Sequence, residues 1–263
     1  MPLTDSLAPD QAGADARAAR IELERLLADR PVDLPPGFAD ATERFVALLL
    51  TANRRTNLTR VTEPVAVARL HLLDALSVLP LVDGLERGGR SVDLGSGGGV
   101  PGLVLALARP EQQWLLVDSV RKKADLLRRF VSALDIGNVK VVAERAEVLG
   151  QDRGHRESHD LVAARACATL PVLAEYALPL LAIGGTLVAW KGPISVDELR
   201  AGERSAAALG GSAPRVLPSG YDELGDHRFV VIAKERPTPS RYPRRPGEPG
   251  RHPLGSGDPG AIG

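Results

Sequence analysis

The sequence predicts an α/β protein built on a doubly wound, mostly parallel sheet, with an N-terminal helical segment before it. Three observations predict this. From Ser91 onward, short apolar runs alternate with stretches of helical spacing. The first run ends in a cluster of glycines and is followed by an apolar helix-length stretch. Before Ser91 the apolar residues recur only at helical spacing. Alternation of strand and helix requires crossover connections, which cover both faces of a parallel sheet with helices.

Residues 1–15 are polar, Ala/Asp-rich and aperiodic, and read as a disordered leader. Residues 16–85 read as a helical segment packed on the core. A first helix fits Ala16–Leu27, with Ile21, Leu23, Leu26 and Leu27 apolar, and Pro31, Pro35 and Pro36 interrupt it. A second fits Phe38–Thr51 through Phe45, Val46 and Leu48 to Leu50. A third starts at Pro64, a residue suited to a first turn, and runs through Leu70 to Val82.

Residues 86–235 read as the sheet domain. Its strands are expected at Ser91–Leu94, Gln113–Val117, Asn138–Val142, Asp160–Ala164, Thr186–Trp190 and Arg228–Ala233, all free of proline as a sheet interior requires. Helices are expected at Gly102–Ala108, Lys122–Leu134 and Val172–Leu181, and Gln151–His159 reads as an extended charged surface loop. Residues 236–263 hold seven prolines and six glycines, with five arginines against two acids. Such a basic tail cannot continue a sheet and is either disordered or wrapped on the surface.

Of the 263 residues, 44% are hydrophobic and 25% charged, enough for a real core. Lys+Arg and Asp+Glu both total 33, and this neutrality argues against a protein coated all over in nucleic acid. Local basic patches remain compatible with it. The single cysteine, Cys167, excludes an internal disulfide and a Cys-based zinc site, and no metal is expected. The N-terminus lacks the order of a signal peptide. The apolar stretch Leu178–Trp190 spans 13 residues, short of the roughly 17 to 25 that cross a membrane. A cytoplasmic protein with no membrane association and no protein partner is expected.

The central motif is Ser91-Val92-Asp93-Leu94-Gly95-Ser96-Gly97-Gly98-Gly99-Val100-Pro101-Gly102. Glycines suit a sharp turn whose backbone lies against a ligand. In an open parallel sheet such a loop sits at the carboxyl end of a strand, where ligands bind. Two cofactor classes compete for it. Gly97-x-Gly99-x-x-Gly102 satisfies the dinucleotide pattern and would make the chain an NAD(P)-dependent oxidoreductase. Asp93-x-Gly95-x-Gly97-x-Gly99 satisfies the first motif of S-adenosylmethionine-dependent methyltransferases. Asp93 favours the second, because its carboxylate suits a cationic amino-acid group and repels a pyrophosphate. Asp118, ending the second strand, can accept hydrogen bonds from both ribose hydroxyls of either cofactor, or cap the helix that follows.

Further segments resemble one family. They are Asn53-Arg54-Arg55-Thr56-Asn57-Leu58-Thr59-Arg60, His71-Leu72-Leu73-Asp74-Ala75, Leu116-Val117-Asp118-Ser119 and Arg145-Ala146-Glu147. Arg165-Ala166, Lys191-Gly192 and Tyr242-Pro243-Arg244-Arg245-Pro246-Gly247 continue the series. Together with the glycine loop, they make residues 38 to 254 similar to the ribosomal RNA small-subunit methyltransferase G family, also called glucose-inhibited division protein B. The resemblance implies a class I, Rossmann-like methyltransferase that forms 7-methylguanosine at one guanosine of 16S rRNA and releases S-adenosylhomocysteine. The small ribosomal subunit is then the partner. Carried over by position, cofactor contacts fall on Gly95, Val100, Ala146, Glu147 and Arg165, with Asp93, Gly97 and Asp118 in the same pocket. The arginine that the family places directly before His71 is Leu70 here, with Arg69 one place earlier.

The residues themselves agree in part. Ala146 and Glu147 follow the third strand, where a carboxylate or backbone group can meet an adenine amine; Glu147 equally suits a helix start. Arg165 follows the fourth strand and faces the crevice, where it suits the methionine carboxylate, an RNA phosphate or an ion pair. Guanine N7 carries a lone pair and no proton, so no catalytic base is nominated and proximity is the expected source of rate. Cys167 as a nucleophile is disfavoured by its Ala166-Cys167-Ala168 setting, where cysteine behaves as a small apolar residue. Arg54, Arg55, Arg121 and Lys122 are candidate phosphate contacts, as is Lys191 at the end of the fifth strand beside the crevice. His71 and Asp74 suit either the substrate side or the joint between helices and core. A non-catalytic RNA-binding module is the remaining rival, against which the intact Gly95, Asp118 and Glu147 argue.

Overall fold

A computed structural model describes residues 8–30, 32–85, 88–165 and 167–255. The first helices are α1 (Ala8–Leu27) and α2 (Phe38–Asn53). A third helical stretch comprises α3 (Pro64–Val67), a π-helix (Ala68–Leu73), α4 (Asp74–Leu76) and α5 (Leu79–Val82). Then come β1 (Arg90–Leu94), α6 (Gly102–Ala108), β2 (Gln113–Val117), α7 (Arg121–Leu134), β3 (Val139–Val142) and α8 (Ala146–Leu149). The chain continues through β4 (His159–Arg165), α9 (Leu170–Ala177), β5 (Leu181–Lys191) and α10 (Val196–Ala208). It ends with β6 (Arg215–Pro218), a 3-10 turn (Asp222–Leu224), β7 (Arg228–Ala233) and α11 (Glu248–Arg251).

The seven strands form one sheet in the order β3-β2-β1-β4-β5-β7-β6. Pairings from β3 through β5 are parallel, and β7 runs antiparallel to both β5 and β6. The doubly wound, mostly parallel sheet is as expected. Strand order reverses between β1 and β4, which places a crevice at their carboxyl ends. Successive side chains of a strand point to opposite faces, and the two cores follow that period. Leu161, Ala163, Val188, Trp190, Phe229 and Val231 join the core under α1 to α7, whereas Val162, Ala164, Leu187, Ala189, Val230 and Ile232 join the core under α8 to α10. Burial on both faces explains why these strands read as unbroken apolar runs.

Several expectations change. Helix α1 begins at Ala8, well before Ala16. Ala12, Ala16, Ala19, Leu23 and Leu26 are all buried, so its inner stripe starts in the segment expected to be disordered. Alanine is the best helix former and hides a buried stripe in a composition that looks merely small and polar. Residues 1–7 lie outside the described residues. The third helix is broken rather than continuous, with a π-helix at Ala68–Leu73. Its span, Pro64–Val82, is the one described stretch long and apolar enough to cross a membrane, and 67% of that window is buried inside the protein. Helix α10 and strand β6 had no counterpart in the sequence reading, although Ser195 caps α10 by accepting from the Glu198 N–H at 3.1 Å.

Of the two paths open to the tail, disorder or wrapping on the surface, the described part takes the second. Residues 236–255 are folded, with Thr238, Tyr242 and Pro249 buried. Arg156, in the segment expected to be an exposed loop, donates to the Thr238 and Tyr242 carbonyls at 2.8 and 2.7 Å. Arg244 grips the wholly buried Glu175 carboxylate of α9, Nε to Oε1 at 2.9 Å and Nη2 to Oε2 at 2.6 Å. Residues 256–263 lie outside the described residues.

Arg244→Met leaves Glu175 buried without its partner and is expected to cost about 3–5 kcal/mol in a urea titration. Replacing both residues by Met is expected to cost less than the single change, because no uncompensated charge remains.

Candidate cofactor cleft and its basic rim

The glycine loop is stitched to β2. Gly95 and Ser96 N–H groups donate to the Val117 carbonyl at 2.9 and 3.0 Å, and Ser96 Oγ accepts from the Val117 N–H at 3.1 Å. Gly95 and Gly97 have φ of 72° and 53°, the left-handed region that glycine enters without penalty. A Cβ on Gly95 would also lie 3.1 Å from the Cβ of Cys167.

Asp93 is buried at the end of β1, where its Oδ2 accepts from the Gly102 N–H at 3.1 Å and anchors α6. Its other oxygen, Oδ1, is buried with no hydrogen-bond partner. Burial pushes this carboxyl up to about 6 against the opposing pull of Ser96, Gly102 and Arg165. Asp118 reaches back from β2: Oδ2 accepts from the Gly97 N–H at 3.0 Å and Oδ1 from the Val120 N–H at 2.8 Å. It holds the loop and starts α7 at once.

Beside the loop is a cavity of about 220 Å³, lined among others by Gly95, Ser119, Ala146, Glu147, Cys167 and Tyr176. Of the cofactor positions singled out from the sequence, Gly95, Ala146 and Glu147 line this cavity, whereas Asp93, Gly97 and Asp118 stand in or behind the loop rather than in its lining. Glu147 is buried, and its Oε1 accepts from Arg145 Nη2 at 3.1 Å and from the Gly247 N–H at 2.7 Å. Burial works to raise this carboxyl, but those two donors outweigh it and hold it below the usual carboxylate range. Cys167 lines the cleft, and burial of its thiol, with the Asp93 charge adding to it, pushes it up to about 11. A raised thiol is a poorer nucleophile, which disfavours the nucleophile reading. A larger cavity of about 530 Å³, lined by Asp33, Asp83, Arg109 and Glu111, opens at the opposite, amino-terminal edge of the sheet.

Two predicted cofactor residues point elsewhere. The Val100 side chain is packed in the core beneath the helices. Arg165 does not turn its guanidinium into the cavity: Nη1 donates to the Leu70 carbonyl at 2.7 Å and lies 3.6 Å from Asp74 Oδ2. Tyr176 and Ser119 line the cleft without having been singled out. Tyr176 is one of three tyrosines, on the helix following β4, and that placement was the only signal it carried.

The rim is built by the segment after α2. Asn53 closes it, its Oδ1 accepting from the Leu58 and Thr59 N–H groups at 2.8 and 3.0 Å while Nδ2 donates to the Thr59 carbonyl at 2.9 Å. Leu58 and Leu49 press on the glycine loop so closely that a Cβ on Gly98 would come within 3.3 and 2.8 Å of them. Arg54, Arg55 and Arg60 are exposed on this segment, and Arg121 and Lys122 are exposed on the first turn of α7. Lys191 differs from expectation. Its Nζ donates to the Ala168 carbonyl at 2.9 Å and to Glu198 at 2.8 Å, so it braces the segment after β4.

His71 and Asp74 join the helices to the core. His71 Nε2 lies 2.8 Å from Thr59 Oγ1, and burial lowers its imidazole to about 4, with Arg165 adding to the effect. Asp74 pairs with His227 at 3.1 Å, and its carbonyl accepts from Trp190 Nε1 at 3.0 Å. Among the described residues, no group of three or more His, Cys, Asp or Glu side chains is arranged to hold a metal.

The strand order and a glycine loop followed by acids at the next strand ends define the class I methyltransferase architecture. The CurJ carbon methyltransferase superposes with a TM-score of 0.51 at 17% identity, covering 85% of this chain and 68% of that one, a likeness of fold. The chain belongs to the family described as rRNA small subunit methyltransferase G, whose profile matches residues 39–221. Relatives called ribosomal RNA small subunit methyltransferase G are 43% identical in Deinococcus radiodurans and 45% in Deinococcus deserti. These matches cover 90% and 89% of this chain, and 93% and 97% of those proteins.

The lowered His71 imidazole makes stability pH-dependent. The unfolded chain binds a proton at His71 below about 6.5 and the folded chain only near 4, so stability is lost as pH falls through that window. Buried His159, lowered to about 3, adds to the fall. His71→Gln is expected to flatten the loss between pH 6.5 and 4 without abolishing it, as read by urea midpoints across that range.

Proposed function

We propose that the chain transfers a methyl group from S-adenosylmethionine to N7 of one guanosine in 16S rRNA of the small ribosomal subunit, in the cytoplasm. The observation that carries the reading is the set of carboxylates around the glycine loop at the ends of three adjacent strands. Asp93, with its partnerless buried Oδ1, suits a cationic ammonium group. Asp118, at the mouth beside Gly97, suits two ribose hydroxyls. Glu147, with Ala146, suits the amine of adenine. Gly95 and Gly97 let the ligand lie against main chain. Val100 and Arg165 contribute main chain only, since their side chains are engaged elsewhere.

S-adenosylmethionine, when bound, supplies an electrophilic methyl group on a sulfonium. The chain's own residues orient, exclude water and hold the RNA. Guanine N7 has a lone pair and no proton to remove, so no side chain acts as general base. Rate then comes from alignment, which alone can supply several kcal/mol, roughly 7–11 in favourable intramolecular cases. The dinucleotide alternative places a pyrophosphate near Asp93, whose charge opposes it. Arg54, Arg55, Arg60, Arg121 and Lys122 neutralise phosphates at the rim, and Lys191 acts by bracing the segment after β4.

The deciding experiment is transfer of labelled methyl from S-adenosylmethionine to unmodified small subunits, followed by nucleoside analysis. Label in 7-methylguanosine at one 16S site is the expected result. Label in another nucleoside overturns the N7 assignment, and NAD binding in place of S-adenosylmethionine overturns the class. Asp118→Asn is expected to weaken S-adenosylhomocysteine binding by about tenfold or more, the worth of a charge-assisted hydrogen bond. Replacing Arg54, Arg55 and Arg60 by Ala together is expected to raise KM for subunits, leave cofactor affinity unchanged and reduce the salt slope of RNA binding by roughly 2.

A further inference from the structure

The C-terminal segment does more than cover apolar surface. After β7 it is tied down at three places before it reaches Glu147. Lys234, wholly buried, donates to the Leu178 carbonyl at 2.6 Å and to Thr238 Oγ1. Arg156 holds the Thr238 and Tyr242 carbonyls, and Pro243 packs where a Cβ on Gly150 would come within 2.7 Å of it. Arg244 holds Glu175.

Beyond them the chain turns across the cleft. Gly247, with φ of 82°, caps α11 in the left-handed conformation and aims its N–H at Glu147 Oε1, 2.7 Å away. Glu147 lines the cavity from α8. On the far wall α9 presents Glu175 to Arg244 and the next residue, Tyr176, to the cavity; a Cβ on Gly250 would lie 3.9 Å from the Tyr176 hydroxyl. The segment therefore bridges the two walls between which the purine is placed. Both bonds to Glu147, from Gly247 and from Arg145, land on the same oxygen and set the orientation of the carboxylate.

Resting on the reading that this cavity takes the adenosyl group, we propose that the C-terminal strap is part of the cofactor site. Its Gly247 N–H positions the Glu147 carboxylate so that it accepts from the 6-amino group of adenine and rejects a 6-oxo purine. Gly247 is a positioning residue, acting through Glu147. A carboxylate facing a 6-oxo group meets an acceptor where it needs a donor, so selectivity between the two bases reports its orientation.

The test is calorimetric binding of S-adenosylhomocysteine and S-inosylhomocysteine to the full chain. Wild type is expected to prefer the adenosyl ligand. A Cβ at Gly247 meets nothing nearer than Arg251 Nη2 at 3.8 Å, so Gly247→Ala acts through the strain of a left-handed backbone rather than through a clash. Gly247→Val, disfavoured in the left-handed region, is expected to reduce the preference about tenfold, one charge-assisted hydrogen bond. Gly247→Ala gives a smaller drop and is the fallback if the valine variant does not fold. Gly247→Asn, which tolerates that conformation, retains the preference. Glu147→Gln reduces it by itself, and adding Gly247→Val to Glu147→Gln reduces it no further. A Gly247→Val chain that keeps the wild-type preference, or loses affinity for both ligands equally, overturns the strap's role. An unchanged preference in Glu147→Gln overturns the assignment of the amine to Glu147. Failure of wild type to bind either ligand overturns the adenosyl reading itself.

Discussion

Everything at the cleft depends on a carboxylate buried at the end of β1. Asp93 accepts from the Gly102 N–H with one oxygen, and its main-chain carbonyl accepts from the Ser96 hydroxyl at 2.9 Å. Strand, loop and helix α6 thereby become one unit. Burying a carboxylate with an oxygen unpaired is costly, and the raised proton affinity of Asp93 is the sign of that cost. Close packing has a second consequence: a Cβ on Gly102 would fall 2.4 Å from Leu116 and 2.6 Å from Asp93 Oδ2, so glycine is required there by contact rather than by flexibility. Asp118 completes the arrangement from β2 by holding Gly97. Two adjacent strands thus each give a carboxylate to the loop and the helix start that follows it.

The N-terminal helices are joined to this unit through polar contacts as well as apolar ones. Thr59 meets His71, Arg165 meets the Leu70 carbonyl and Asp74, and Asp74 meets His227 and Trp190. A continuous set of contacts runs from the basic rim through the π-helix to β4, β5 and the start of β7. π-helical turns are uncommon and concentrate at functional sites. Here the turn carries His71 inward and places the Leu70 carbonyl over the end of β4. The basic segment after α2 and the glycine loop are packed against each other where Leu58 meets Gly98.

The C-terminal segment closes the other side. Its prolines and glycines remove it from the sheet, but buried ion pairs to Glu175 and Glu157 hold it against α9 and the turn before β4. A low-complexity composition therefore coexists with a defined path. The apolar surface it lacks is replaced by arginine and lysine donors saturating main-chain carbonyls.

Much of the fold and part of the site were legible in the sequence, for reasons that particular residues show. The runs Gln113–Val117 and Arg228–Ala233 coincide with strands to the residue, because a strand buried on both faces must be apolar throughout. Gly95 and Glu147 line one cavity because the carboxyl ends of parallel strands lie side by side whatever the connecting segments do. Local rules could not see Ala12 on a buried stripe, Arg165 turned toward Leu70, Lys191 clasped by Glu198, or Gly247 reaching Glu147 from 100 residues away. The sequence by itself determined the alternation of strand and helix and the glycine loop at the end of β1. Only the tertiary structure decided which charged groups face the cleft and which are consumed as struts, because a side chain's partner is set by what packs beside it rather than by its neighbours along the chain.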